Sequence, residues 1–120
     1  MLLEIKPELV GVLFDFEEPW KTDLQEFMEK NYSCDLTIEQ LAHYTGRSLS
    51  AFKRDFTDSF EGETPARWIV KRRLEESMKL LMKGIPASSV YLKVGFKNLS
   101  HFSTAFKRQF GILPTQVETM

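Results

Sequence analysis

Two stretches of this 120-residue chain place hydroxyl, imidazole and basic side chains between regularly spaced phenylalanines. The pattern Leu-Ser-x-Phe-x-x-x-Phe-x-x-x-Phe covers residues 49–60 and recurs over 99–110. The interleaved polar groups are hydrogen-bond donors, hydrogen-bond acceptors and fixed positive charges, which suit binding to base edges and phosphates. These residues are Ser50, Lys53, Arg54, Ser100, His101, Ser103, Thr104, Lys107 and Arg108, with Ala51 among them.

The phenylalanine spacing predicts the element that carries these groups. Phenylalanines four apart fall on one side of a helix, because four residues advance it by about one turn. Each copy also follows an apolar stretch that ends in a glycine, residues 41–46 and 90–95. Each copy therefore predicts a short helix, a glycine turn and a second helix. This helix-turn-helix arrangement places its second helix in the major groove in DNA-binding proteins. On the repeat alone, two helical hairpins with a purely structural role are the alternative.

Capping residues set the predicted helix ends. Thr37 with Gln40 forms a capping-box pattern, and Ser48 and Asn98 can cap the two helices that carry the phenylalanines. Pro86 suits the first position of a helix. The predicted helices span about 37–43, 48–60, 86–93 and 98–110.

A long helix is predicted between the two copies, over about 64–83. Thr64 and Pro65 suit its cap and first position. Its apolar residues are expected largely on one side, namely Trp68, Ile69, Met78, Leu81 and Met82. Twenty residues span ~30 Å, close to the ~34 Å between successive major-groove faces of B-DNA.

Charge is unevenly distributed, although the net charge is only −1. Residues 1–46 carry three basic and ten acidic side chains, whereas residues 47–110 carry 13 basic and six acidic ones. Because the basic part is also the repeated part, the asymmetry favours a polyanionic partner. For the basic run at 71–73, solvated or stem-packed positions around the long helix are the simpler reading.

Residues 20–116 resemble the DNA-binding domain of AraC-type transcriptional regulators. The strongest match is Val94-Gly95-Phe96, the Ser/Phe-rich run from Asn98 to Gly111, and Pro114. The long helix is similar through Pro65, Trp68, Arg73, Leu74, Leu80 and Leu81. The chain departs from the family at Tyr91, where a small residue is usual, and at Val117 and Glu118, where tyrosine and arginine are common.

The resemblance implies an all-α fold of about seven helices, in which two helix-turn-helix units are joined by a long connecting helix. It also implies that residues 20–116 bind successive major grooves of double-stranded DNA as a monomeric unit. In that family the domain usually follows an effector-sensing or dimerising domain, so the full-length protein is expected to dimerise through it. Residues 1–19 would then be a linker from a missing preceding domain, or an N-terminal extension packed as an extra helix.

The length and chemistry of each exposed side chain suggest its role in DNA binding. Ser50, Ala51, Lys53 and Arg54 are expected to face DNA in the first unit, with Arg54 contacting guanine through two hydrogen bonds. An ion pair between Arg54 and Asp58 is the alternative for that side chain. In the second unit, Ser100, His101, Ser103 and Thr104 are expected at base edges, and Lys97, Lys107 and Arg108 at phosphates.

Other functions find little support in the sequence. Cys34, His43 and His101 form no spaced ligand set, and no catalytic motif occurs, so neither an enzyme nor a metal or other cofactor is predicted. The phenylalanine spacing favours core packing over a stacking platform for single strands. The N-terminus lacks signal-peptide features and no apolar run suits a membrane span, so a cytoplasmic protein is expected. Two alternatives stay open. One is a helical module that contacts RNA polymerase or another transcription partner through the acidic first 46 residues, and the other is a DNA-binding adaptor fused to a repair enzyme.

Overall fold

The computed structural model describes residues 23–119, which form seven α-helices and no strand. The helices are α1 (Leu24–Asn31), α2 (Ile38–Tyr44), α3 (Leu49–Ser59), α4 (Pro65–Met82), α5 (Ala87–Lys93), α6 (Leu99–Phe110) and α7 (Pro114–Glu118). The predicted all-α fold is confirmed, and the five helices with predicted bounds begin and end within one residue of them. The predicted linker over residues 1–19 lies outside the described residues.

Local side-chain caps start most of these helices. Thr37 and Gln40 form the predicted capping box at α2, with hydrogen bonds of 3.1 and 2.8 Å. The Ser48 hydroxyl accepts the Ala51 amide hydrogen bond at 3.1 Å, and Asn98 accepts that of His101 at 2.9 Å. Such caps satisfy amides that have no partner inside the helix. The starts of α3 and α6 are therefore fixed by the residue that directly precedes each copy of the repeated pattern.

Two hydrophobic cores lie on either side of α4. The first core joins the helices of the first unit, α1, α2 and α3, to α4, and the second core joins those of the second unit, α5, α6 and α7, to it. Phe52 and Phe56 are fully buried in the first core, as are Phe102 and Phe106 in the second. The repeated phenylalanines are thus core residues, and the opposite faces of α3 and α6 are left to solvent.

The connecting helix divides its apolar residues between both cores, so the prediction of one apolar side is wrong. Ile69 and Trp68 pack in the first core, while Leu74 and Leu81 are buried in the second. Met82 belongs to neither and is 74% exposed. The physical reason is that a helix between two units is covered on two faces, which places apolar side chains around most of its circumference.

The start of α5 also differs from prediction, because Pro86 is the N-cap residue and Ala87 begins the helix. Proline offers no side-chain acceptor there. Glu118 supplies one from α7, where its carboxylate accepts a 2.8 Å hydrogen bond from the Ala87 amide. Glu118, one of the two departures from the family's ending, therefore stabilises the second unit. The other, Val117, is buried in the second core.

Candidate nucleic-acid interface

The exposed face of α3 carries the predicted polar residues of the first unit. Ser50, Lys53 and Arg54 are exposed, and Ala51 is half-buried. Ser50 and Arg54 lie opposite the buried phenylalanines, since residues four apart share a helix face. Thr57, which was not predicted, continues this row one turn further and donates its hydroxyl to the Lys53 carbonyl at 2.9 Å.

Arg54 pairs with its neighbour Asp55 rather than with Asp58. The Nε to Oδ1 distance is 3.3 Å, and the Arg54 side chain remains 64% exposed. The i to i+4 pair with Asp58, the alternative considered for Arg54, is therefore not formed, and an adjacent pair is found instead. Exposed ion pairs of this kind contribute little free energy, so the guanidinium can exchange this partner for another acceptor.

A second arginine, which was not predicted as a functional residue, links the turn of the first unit to α3. Arg47 Nε donates to Asp55 Oδ2 at 2.9 Å, and its Nη1 donates to the Thr45 carbonyl at 3.2 Å. The Arg47 side chain is only 9% exposed. The hydrogen bond from Arg47 is the main reason that the pKa of Asp55 lies below its usual value, with a smaller contribution from Arg54.

This lowered pKa predicts an acid-sensitive contribution to stability. Above the unfolded-state pKa of about 4 the stabilisation from Asp55 is complete, and it is lost as the pH falls through the lower folded-state value. Asp55→Asn should therefore destabilise the protein at pH 7 and weaken the acid dependence of its stability. Urea denaturation at pH 7 and at pH 3 measures both effects. An unchanged difference between the two pH values would contradict this role.

The exposed face of α6 carries the predicted residues of the second unit. Ser100, Thr104, Lys107 and Arg108 are exposed, and Ser103 is half-buried. His101 is also exposed, with its ring 5.5 Å from that of Phe96 in an edge-on contact. This contact orients the imidazole at the start of the helix.

The two faces differ most at their C-terminal ends. Lys107 and Arg108 occupy the positions that Thr57 and Asp58 hold in α3, fifty residues earlier. An anion is therefore attracted by the end of α6, whereas Asp58 repels it at the end of α3. The same comparison aligns Asp55 with buried Ala105, so the second unit has no counterpart of the Arg47–Asp55 pair.

Lys97 reaches across to the first unit in the free protein. Its ammonium lies 2.9 Å from the Asp35 carboxylate, and both side chains are about three-quarters exposed. The pair joins the turn before α6 to the loop between α1 and α2. Such an exposed pair is weak and screened by salt, so a phosphate can replace Asp35 as the partner of Lys97.

Other chemistry finds no site among residues 23–119. Phe52, Phe56, Phe102 and Phe106 are fully buried, so these four rings are not available to stack on bases. No group of three His, Cys, Asp or Glu side chains in this range could hold a metal ion. Cys34 is a free, exposed thiol. Within the same residues no helix has the length and apolarity to cross a membrane.

The family model of a helix-turn-helix domain matches residues 41–120, two thirds of the chain. Its matched range includes both α3 and α6 with their turns. The chain belongs to the AraC-type helix-turn-helix family. The double helix-turn-helix of the AraC-type family is the DNA-binding module of transcriptional regulators.

Curated and solved relatives agree with this membership. The virulence regulon transcriptional activator VirF of Yersinia enterocolitica is 33% identical over 94 residues, covering 78% of this chain and 34% of the relative. The regulator ExsA of Pseudomonas aeruginosa is 30% identical over 111 residues, covering 92% of this chain and 40% of the relative. An AraC-type transcriptional regulator from Chromobacterium violaceum has a similar crystal structure, with a TM-score of 0.69 and 26% identity over 84% of this chain and 90% of that one. The chain thus spans about a third to two fifths of the length of these two curated relatives.

Proposed function

We propose that this chain binds double-stranded DNA sequence-specifically by placing α3 and α6 in successive major grooves. The observation that carries the proposal is that both helices are amphipathic. Each buries its phenylalanines in a core and presents polar residues on the opposite face. A helix of this kind, capped at its start and preceded by a tight turn, can enter the major groove with its N-terminal half against base edges.

In the first unit, Arg54 is proposed as the main base reader. Its exposed guanidinium lies on the face of Ser50 and pairs with the adjacent Asp55 carboxylate at 3.3 Å. Two parallel hydrogen bonds from a guanidinium match the acceptors of guanine in the major groove. Ser50 and Ala51 flank this contact, and Lys53 is placed for the phosphate backbone.

In the second unit, short side chains are proposed to read bases while cations hold phosphates. Ser100, Ser103 and Thr104 offer hydroxyls, His101 offers a ring nitrogen, and the threonine methyl can contact thymine. Lys97, Lys107 and Arg108 surround them. Base discrimination in this unit is therefore weaker than in the first.

Two alanine substitutions separate base reading from phosphate binding. Arg54→Ala should lower the preference for the selected base by ~1–3 kcal/mol at one half-site. Lys107→Ala should weaken binding to all sequences about equally. Competition binding with single-base variants of a selected duplex measures both effects.

Arg67 offers a matched control for Arg54→Ala. Arg67 is 80% exposed on α4 and pairs with Glu63 at 3.6 Å, outside both recognition faces. Arg67→Ala removes the same charge and should leave the base preference unchanged. If Arg54→Ala weakens all sequences equally, as expected of Lys107→Ala, Arg54 does not read a base.

The proposal extends to how the module works within a longer protein. Residues 20–116 would act as one DNA-binding unit without catalysis, binding as a monomer. VirF and ExsA are each more than twice as long as this chain, which leaves room for a dimerising or effector-binding domain. Residues 1–19 would connect to such a domain. RNA polymerase is proposed as a further partner of the assembled regulator, since the relative VirF is named a transcriptional activator.

A further inference from the structure

Arg73 of α4 contacts both helix-turn-helix units. It projects from α4 between the residues that face the first core and those that face the second. Its Nε donates to the Tyr32 carbonyl at 2.7 Å, and Nη2 donates to the Cys34 carbonyl at 3.2 Å. One guanidinium thus satisfies two backbone carbonyls of the α1–α2 loop. Burial lowers the pKa of Arg73 from its usual value, but a guanidinium stays protonated in proteins.

The turn of the second unit packs against the same guanidinium. The Arg73 Cζ lies 5.9 Å from the centre of the Phe96 ring. Gly95 has a φ of +110°, and a Cβ at this position would lie 2.8 Å from both Arg73 Nε and the Ser33 carbonyl oxygen. Only glycine permits this backbone conformation and so close an approach. The α1–α2 loop, Arg73 and the second turn therefore form one packed seam.

The turn of the second unit is built to reach this seam. One residue, Arg47, separates the turn glycine from the helix cap in the first unit, whereas Phe96 and Lys97 separate them in the second. The additional residue allows Phe96 to be buried at 3% exposure while Lys97 pairs with Asp35. The two turns thus differ where the second one contacts the first unit.

We propose that Arg73 is a positioning residue that locks the two units into one rigid body and so fixes the half-site spacing that the protein accepts. The inference rests on the proposed function. The connecting helix alone is one link, about which two units can rock. The seam joins the two units at a second place, the contact of the α1–α2 loop and Arg73 with the second turn. Two connections together fix the orientation of α6 relative to α3.

DNA makes this orientation measurable. Inserting one base pair between the half-sites rotates the second half-site by ~34° and shifts it by ~3.4 Å. A rigid pair of recognition helices loses contacts on such a duplex, whereas a loosely joined pair adjusts. The loss of affinity caused by the inserted base pair therefore measures how rigidly the seam holds the two units. The affinity for the unaltered duplex measures how well the exposed faces of α3 and α6 bind DNA.

The test compares Arg73→Met with Arg72→Met on duplexes that carry both selected half-sites, with and without one inserted base pair. Arg72 is the matched control, since its side chain is also largely buried on α4 but contacts the first unit, through Glu29 at 3.0 Å and the Tyr32 ring at 4.6 Å. The insertion should weaken the wild type and Arg72→Met at least about tenfold, the effect of losing about one base contact. For Arg73→Met the penalty should fall below about threefold, with weaker binding to the unaltered duplex, because loosely linked modules lose effective concentration.

An insertion penalty in folded Arg73→Met equal to that of the wild type would overturn the inference. If circular dichroism shows that Arg73→Met is unfolded, Arg73→Lys takes its place in the test. The lysine ammonium cannot donate to both carbonyls in the geometry of the guanidinium. An insertion penalty in Arg73→Lys equal to that of the wild type would also overturn the inference. Failure of the wild type to prefer selected over scrambled duplex would instead refute the proposed function. The two failures are therefore distinct.

Discussion

The affinity of this chain for its selected duplex is expected to fall ~150-fold as salt rises from about 50 to 200 mM, because phosphate contacts release condensed counterions. Four cations are proposed to contact phosphate, namely Lys53, Lys97, Lys107 and Arg108. A slope of about −0.9 per contact in log affinity against log salt then gives about −3.6 in total. Fluorescence anisotropy titrations across this salt range measure the slope.

Single substitutions measure how much each cation contributes to the slope of log affinity against log salt. Lys107→Ala should make it shallower by about 0.9, whereas Arg54→Ala should leave it nearly unchanged, since a base contact displaces no phosphate counterion. Lys97 contributes in full only if it leaves Asp35, from which it is 2.9 Å away. A total slope near zero would contradict a DNA interface on these faces.

Phe106→Ala should lower the free energy of unfolding by ~3–5 kcal/mol, because it removes a fully buried ring and leaves a cavity. Domains of this size are stable by only ~5–15 kcal/mol. The loss is therefore a large share of the total. It also extends beyond the second core, because α4 contributes to both cores and the first unit loses part of its support when α4 frays.

Urea denaturation followed by far-ultraviolet circular dichroism measures the Phe106 effect. Leu92→Ala is the control, since Leu92 is 60% exposed on α5 and its truncation should change stability by about 0.5 kcal/mol or less. A midpoint for Phe106→Ala as close to the wild type as that of Leu92→Ala would show that the ring does not support the core as described.

The helices were predictable because their signals are local. The capping residues Thr37, Ser48 and Asn98 lie next to the helices they start, and phenylalanines four apart reveal one buried face. The connecting helix was predicted as an element but not as a two-faced one. Its two faces depend on which unit packs against each residue, and periodicity within a single helix does not contain that information.

The contacts that position the interface were largely beyond the sequence. Arg73 bonds to carbonyls about forty residues away, and Glu118 caps α5 from 31 residues away. Such contacts depend on how loops meet after folding. The Arg47–Asp55 pair is an exception, since aligning the two copies shows Arg47 opposite Lys97 and Asp55 opposite Ala105. That difference was a readable signal of a salt bridge present in one copy.

Selection of bound duplexes from a random pool tests the central claim most directly, namely that α3 and α6 read successive major grooves together. The expected result is a bipartite motif whose half-sites lie about one helical turn, ~10–10.5 base pairs, apart. The half-site read by α3 should be the more sharply defined and should contain the guanine contacted by Arg54. Recovery of no enriched sequence, or of one half-site without a second at fixed spacing, would contradict the account.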